Sequence, residues 1–221
     1  MAKRSEKQKD KKRKSTGRFK TGAIFGAIVL ACLLISDITT VILIVVLAAM
    51  CCYELCALLR SDAKLPNEWI GVVGAALYPI VFVWIGYYGI LLLTLMIIAV
   101  VLGWYVAYPR ARITDAAITV FSSLYTGLML TSIVMIRLSQ PGIWGGVLAT
   151  IVIFAIWGND TMAFVWGSRL GRHRMAPRIS PKKSWEGCAA GLVGSTVIWV
   201  FMCFVPGVNL PLYAAIISGL V

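Results

Sequence analysis

The residues best suited to chemistry lie in one stretch of the chain. Asp160 stands inside otherwise apolar sequence, where an ionisable side chain is costly and marks a candidate functional site. Arginine can bind a phosphate through two parallel hydrogen bonds and lysine through a compact charge, and Mg²⁺ typically binds through one or two carboxylates plus substrate phosphates. The pattern therefore predicts a site for Mg²⁺ and a ligand with several phosphates. The segment 167–187 holds one acid, Glu186, and six basic residues, Arg169, Arg172, Arg174, Arg178, Lys182 and Lys183.

These residues also have structural interpretations. Asp160 could instead be a buried hydrogen-bonding partner for an arginine of the following loop, and the basic residues could be topology charges that hold this loop on the cytoplasmic side. The second interpretation is weaker for Lys182 and Lys183, because they lie in a specific string that begins at Ser180 and reads Ser-Pro-Lys-Lys-Ser-Trp-Glu-Gly. We interpret the lone His173 as a solvated loop residue and not as a zinc ligand or a catalytic base.

The elements that position these residues are predicted to be membrane-spanning helices. Apolar residues make up 60% and charged residues 14% of the 221 residues, against about 45–50% and about 25% in a typical soluble chain. A helix needs about 20 mostly apolar residues to cross a bilayer. The sequence therefore predicts an all-α, polytopic integral membrane protein with seven complete transmembrane helices plus the start of an eighth. The predicted spans are 21–36, 38–59, 70–86, 89–107, 116–136, 143–166 and 188–205, and the eighth begins at Pro211.

The basic residues indicate which side each loop occupies. The net charge is +12, and cytoplasmic loops collect lysine and arginine. A cytoplasmic N-terminus places 20 of the 21 basic residues on the cytoplasmic side, and Arg137 is the exception. The sequence thus predicts a multi-pass protein of the cell membrane with its N-terminus in the cytoplasm and membrane lipids as partners. This composition excludes a soluble nucleic-acid-binding domain, and we expect no nucleic acid partner.

Four segments follow from this reading. Residues 1–20 form a basic cytoplasmic arm that we expect to be disordered, and 21–166 form a six-helix membrane region. Residues 167–187 form a cytoplasmic basic loop with the nucleotide site, and 188–221 contain the seventh helix and a truncated eighth. The last run has eleven residues, which at 1.5 Å per residue reach about 16 Å, half of a bilayer. Either the C-terminus ends within the membrane or the chain is a fragment of a longer protein, and the sequence favours the fragment, because an unfinished helix leaves its last carbonyls in hydrocarbon without partners.

Three motifs resemble those of the phosphatidate cytidylyltransferases, which make CDP-diacylglycerol. The family carries an Asp-Thr-x-Ala-Tyr segment, a Gly-Arg-x-x-Gly-Arg-like turn and the string Ser-Pro-Lys-Lys-Thr-Trp-Glu-Gly. The corresponding segments here are 159–164, 167–172 and 179–187, with Phe164 in place of tyrosine and Ser184 in place of threonine. The family's C-terminal signature, which supplies further carboxylates, would lie beyond Val221. The resemblance therefore implies that this chain lacks that signature and is catalytically incomplete.

The resemblance implies transfer of the cytidylyl group from CTP to phosphatidic acid, with pyrophosphate released. It implies that Asp160 coordinates Mg²⁺, with a monovalent cation as an optional second ion, and that Lys182 and Lys183 bind the CTP phosphates. Glu186 is expected to orient a lysine or a metal-bound water, and a homodimer is an open option. The other expected substrate-binding residues are Arg169, Arg172, Arg178 and Ser180.

Three alternative functions stay open. Many spans with an intramembrane aspartate also describe an ion-coupled transporter, although the sequence shows no internal repeat. A CTP-dependent lipid kinase would combine many spans with a nucleotide loop. A non-catalytic assembly or scaffolding protein is the third alternative. The motif that contains Lys182 and Lys183 favours the cytidylyltransferase, with phosphatidic acid as the acceptor.

Overall fold

The structure is a computed structural model that describes residues 21–60, 66–178, 180–205 and 211–220. The basic arm predicted at 1–20 lies outside these residues, as does Ile179. The chain divides into two compact units, Met1–Leu138 and Ser139–Val221. Both units are built from helices, and the second also contains one small antiparallel sheet. The predicted all-α class is confirmed.

The described residues of the first unit form six helices and one π-helical segment. Apolar side chains of α3, α4 and α5 form one part of its core around Tyr78, Leu93 and Ile97. A second part lies between α2 and α3, around Cys52, Cys56 and Ala75. The helices are α1 (Thr21–Ile35), α2 (Asp37–Leu59), α3 (Glu68–Ile85), α4 (Tyr87–Ala107), α5 (Ile113–Ser123) and α6 (Met129–Leu138), with the π-helical segment (Leu124–Leu128) between the last two.

The break between α1 and α2 is fixed by polar contacts. Ser36 separates the helices, and its hydroxyl accepts a hydrogen bond from the amide of Ile38 at 3.3 Å. Such an N-cap satisfies one of the amides that have no partner at the start of a helix. Asp37, which lies between the predicted spans 21–36 and 38–59, is the first residue of α2 and forms an ion pair with Arg137 at 2.8 Å. The buried Arg137 also donates from Nε to the carbonyl of Leu33 at 3.0 Å, so it links α6 to both helices.

The second unit contains the end of the chain that carries the predicted site. Helix α7 (Ile143–Leu170) has 28 residues and is followed by strands β1 (Arg174–Ala176) and β2 (Ser180–Ser184). Helices α8 (Trp185–Met202) and α9 (Leu212–Leu220) complete the unit. The hydroxyl of Ser195 on α8 donates to the carbonyl of Gly219 on α9 at 2.6 Å.

Six of the described helices are long and apolar enough to cross a membrane. Apolar side chains such as Ile42, Trp84 and Leu92 are largely exposed on their outer faces, as expected where acyl chains replace water. The chain is therefore a multi-pass membrane protein, although the predicted count of seven complete helices plus an eighth is not confirmed. The described part of α1 and the nine-residue α9 are shorter than the six. The six are α2, α3, α4, the continuous helical stretch Ile113–Leu138, α7 and α8.

Candidate functional site

The site is supported by close packing between the end of α7 and the start of α8. A Cβ added to Gly187 would lie 2.8 Å from the carbonyl oxygen of Ala163 and 3.0 Å from the Cα of Gly167. A Cβ on Gly191 would overlap the side-chain oxygen of Asn159. The later residue of α8 thus contacts the earlier residue of α7, so the two helices are antiparallel. Glycine lets the two backbones approach closely, as is common in membrane helices.

The segment 167–187, predicted to be a loop, is folded. Helix α7 continues to Leu170 and α8 begins at Trp185, so the stretch between the two helices is shorter than the predicted loop 167–187. The intervening β1 and β2 form a hairpin, which we call the basic hairpin (residues 174–184). Its position on the cytoplasmic side of the membrane stays a prediction.

The basic hairpin contains an irregular register where the two lysines lie. Arg174 pairs with Ser184, and Ala176 pairs with Ser180. Three residues of β2, 181–183, therefore lie opposite the single residue Met175 of β1. A proline has no amide to give to the strand ladder, and Pro181 is the first of the three. Bulges of this kind redirect side chains and are common beside active sites. The hairpin thus presents Lys182 and Lys183 with exposed side chains.

The base of the basic hairpin is fixed to both helices by Ser184. Its buried hydroxyl caps α8 by accepting from the amide of Gly187 at 3.2 Å. A Cβ on Gly171 would lie 2.5 Å from this hydroxyl oxygen, so the end of α7 also packs against it. The amide of Trp185 donates to the carbonyl of His173 at 3.0 Å. The strand that carries the lysines therefore starts α8 directly, without a flexible connection.

Glu186, which follows the basic hairpin, binds the two residues that directly precede it. Its carboxylate accepts from the backbone amides of Arg172 and His173, each at 3.2 Å, and lies 2.7 Å from Nδ1 of His173. Sequence reasoning missed this contact, since it interpreted His173 as a solvated residue. The ring is largely exposed but is hydrogen-bonded. A serine followed by an acid is a signal for the start of a helix, and it could have placed Ser184 and Glu186 there.

Five predicted substrate-binding cations are exposed and have no partner within the described part of the chain. Their side chains form no hydrogen bond and no ion pair there, whereas the side chain of Arg174 donates to the carbonyl of Lys182 at 3.2 Å. Unpaired charges of one sign in a small area attract a multiply charged anion. The five are Arg169, Arg172, Arg178, Lys182 and Lys183.

Asp160 is exposed on α7, ten residues before the end of that helix. At 1.5 Å per residue, the separation along the axis from Leu170 is about 15 Å. Among the described residues, Asp160 forms no ion pair and no hydrogen bond through its side chain. The alternative in which it is buried beside an arginine of the following segment is therefore wrong for this structure. The hydrogen bonds that join Glu186 to Arg172 and His173 do not extend to Asp160.

The carboxylate of Asp160 suits a metal site in which other molecules supply most of the ligands. The described residues contain no group of three or more histidine, cysteine or acidic side chains that could hold a metal. A site built entirely from protein ligands therefore does not fit these residues. One carboxylate does fit a Mg²⁺ ion that arrives with phosphate ligands and keeps several waters.

The fold and the basic hairpin define a multi-pass membrane protein whose cations beside the ends of two spanning helices have no side-chain partner among the described residues. The sequence model of the cytidylyltransferase family matches residues 16–221. The chain belongs to this family, as its motifs predicted.

Phosphatidate cytidylyltransferases from several bacteria are similar to the chain. The enzyme of Staphylococcus haemolyticus (strain JCSC1435) is 29% identical over 112 residues, which cover 51% of this chain and 41% of the relative. The enzyme of Chlamydia pneumoniae is 28% identical over 174 residues, which cover 70% of this chain and 55% of the relative. The enzyme of Pseudomonas aeruginosa (strain PAO1) is 36% identical over 58 residues, which cover 26% and 21%. The chain thus spans about half or less of the length of these relatives.

Proposed function

We propose that this chain binds CTP at the basic hairpin and serves the transfer of a cytidylyl group to phosphatidic acid. The products are CDP-diacylglycerol and pyrophosphate. One observation carries the proposal. Five exposed cations without partners in the described chain lie between the last turn of α7, a helix that can span a membrane, and the end of β2. A nucleoside triphosphate and a phospholipid headgroup are both anionic, and this position suits a water-soluble donor and a lipid acceptor together.

The reaction needs positioning and charge stabilisation more than covalent help from the protein. A phosphate oxygen of phosphatidic acid attacks the α-phosphorus of CTP. The bond from this phosphorus to the oxygen that bridges to the β-phosphorus breaks, and its electron pair leaves with pyrophosphate. Lys182 and Lys183 are proposed to hold the charge that develops on the leaving pyrophosphate. Arg172 and Arg178 are proposed to bind the outer phosphates.

Arg169 occupies the last turn of α7 and is exposed. A residue at the end of a spanning helix lies near the membrane surface, where the phosphate of a lipid is found. We therefore propose that Arg169 binds either the triphosphate or the headgroup of phosphatidic acid. Ser180 opens β2 and is proposed to shape the strand that presents the lysines.

Asp160 is the residue proposed to hold Mg²⁺, together with CTP phosphates and water. Such an ion would neutralise part of the triphosphate charge and polarise the α-phosphate. The carboxylate would contribute one ligand and fix the nucleotide relative to α7. A monovalent cation remains an optional second ion in this proposal.

The membrane arrangement completes the proposal. We propose seven complete spans with the start of an eighth, a cytoplasmic N-terminus and location in the cell membrane, an arrangement in which the basic hairpin lies in the cytoplasm. This is the side on which CTP is available. A homodimer and the lack of a nucleic acid partner remain predictions.

Labelled CTP distinguishes the proposed reaction from a lipid kinase. Membranes that contain the chain receive phosphatidic acid, Mg²⁺ and CTP labelled at either the α- or the γ-phosphate. Cytidylyl transfer puts the α-label into the lipid phase and leaves the γ-label in water as pyrophosphate. A CTP-dependent kinase would put the γ-label into the lipid. Lack of both labels in the lipid would contradict the proposed transfer by this chain and would agree with the sequence-based expectation that the chain is catalytically incomplete.

Substitutions test the assigned residues in the same assay. We expect Asp160→Asn and Lys182→Ala each to lower the rate of lipid labelling at least about tenfold, because each removes charge stabilisation from the transition state. Arg110→Ala is the matched control, since it removes one exposed arginine outside the proposed site. Unchanged rates in both site variants would refute the assignment.

A further inference from the structure

The carboxylate of Glu186 joins the two ends of the basic hairpin. Glu186 lies in the first turn of α8, directly after the hairpin. Arg172 and His173 lie directly before it, between α7 and β1. The contacts are two amide hydrogen bonds at 3.2 Å and the 2.7 Å contact with the imidazole. One side chain thus closes the base of the segment that carries Lys182 and Lys183.

We propose that Glu186, together with His173, is a positioning residue that holds the basic hairpin in the conformation that binds the nucleotide. Glu186 acts through the backbone of Arg172 and His173 and does not touch the ligand. This inference rests on the proposed function, since it names what fixes the nucleotide-binding cations in place.

The choice of partners supports this role. Glu186 is the one acid in the segment 167–187, which contains six cations. Its carboxylate nevertheless binds two backbone amides and a histidine ring, and no lysine or arginine side chain of the described chain. The segment is therefore fixed without neutralising Lys182 or Lys183, which stay available to an anion.

Electrostatics and local geometry explain why an acid occupies this position. A negative charge in the first turn of a helix interacts favourably with the helix dipole. Hydrogen bonds to a carboxylate are also shorter and stronger than those between neutral groups. The second attachment at the hairpin base, the hydroxyl of Ser184 packed against Gly171, is uncharged. The hydrogen bond from the amide of Trp185 to the carbonyl of His173 is uncharged as well, so Glu186 is the charged one of these three attachments.

A double-mutant cycle tests whether Glu186 acts through the lysines. The affinity for labelled CTP in the presence of Mg²⁺ is measured for four forms of the purified chain. These are the wild type, Glu186→Ala, the double-lysine variant (Lys182→Ala with Lys183→Ala), and the triple variant that combines all three substitutions. We expect Glu186→Ala to weaken CTP binding about tenfold in the wild-type background and less than about twofold in the background of the double-lysine variant. An equal loss in both backgrounds would overturn the proposal, as would an unchanged affinity in the wild type.

Conservative variants and hydrogen exchange complete the test. Glu186→Gln keeps an acceptor oxygen for the amides, and we expect it to restore binding to within about threefold of the wild type. Amide exchange without nucleotide should become faster across the basic hairpin in Glu186→Ala and stay unchanged in α2. If no form binds CTP, the proposed function fails, and exchange alone decides the positioning role. Unchanged hairpin exchange in Glu186→Ala overturns that role.

Discussion

Replacing Gly187 by alanine is expected to destabilise the protein by separating α7 from α8. The added Cβ would lie 2.8 Å from the carbonyl oxygen of Ala163 and 3.0 Å from the Cα of Gly167, where ordinary contact begins at 3.4 Å. Both neighbours are backbone atoms, so no side chain can rotate away, and the helices must move apart by about 0.4–0.6 Å. Overpacking of this kind costs about 1–3 kcal/mol, and the better helix propensity of alanine offsets up to about 1 kcal/mol.

With about 2 kcal/mol, the middle of that range, the net loss is about 1–2 kcal/mol and corresponds to a fall in Tm of about 2–8 °C for a chain of this size. Thermal unfolding of the purified protein in detergent measures it. Gly103→Ala is the matched control, because Gly103 lies inside α4 with nothing within 4 Å of its added Cβ. We expect the control to keep or raise the Tm. A Gly187→Ala variant as stable as this control would refute the close packing on which the hairpin base depends.

Five further substitutions test two other contacts and one backbone conformation by the same unfolding measurement. Ser184→Ala removes the N-cap of α8 and should cost about 1 kcal/mol, whereas Ser184→Thr should retain most of the stability. Arg137→Met leaves the carbonyl of Leu33 without its donor and should cost about 1–3 kcal/mol. Asp37→Asn should cost less than about 1 kcal/mol, because the side chain of Asp37 is half exposed. Gly86→Ala should cost about 1–3 kcal/mol, because Gly86 has a φ of 74° and a ψ of −151°, a backbone region that is nearly limited to glycine. An unchanged Tm in Ser184→Ala or Arg137→Met would contradict the hydrogen bond that the variant removes, and an unchanged Tm in Gly86→Ala would contradict this backbone conformation.

Apolar run length predicted the membrane helices well but their ends less well. Each of the six long helices overlaps a predicted span, because lipid demands a run of apolar residues. The predicted sixth span stopped at residue 166, whereas α7 continues to Leu170. Polar residues can extend a helix beyond the hydrocarbon, so hydropathy does not mark its last residue. The break between α1 and α2 was placed at Asp37 and lies at Ser36, where a hydroxyl caps the second helix.

The motifs identified the family and the residues near the site, but they did not reveal the hairpin. A strand of the sequence Ser-Pro-Lys-Lys-Ser has little intrinsic preference for a sheet. It forms because Ser184 and Glu186 hold the base of the basic hairpin against the ends of α7 and α8, and contacts between residues distant in sequence are not visible in local patterns. The same reason explains why the partnership of Glu186 with His173 was missed.

Hydrogen exchange with bound nucleotide tests the central claim, that the basic hairpin binds the triphosphate, most directly. Exchange of the purified chain is compared without nucleotide and with saturating CTP and Mg²⁺. We predict that amide exchange slows at least about tenfold within the basic hairpin and stays unchanged in α2 and α4. The double-lysine variant (Lys182→Ala with Lys183→Ala) should lose this protection. Protection of another segment, with the hairpin unchanged, would contradict the claim.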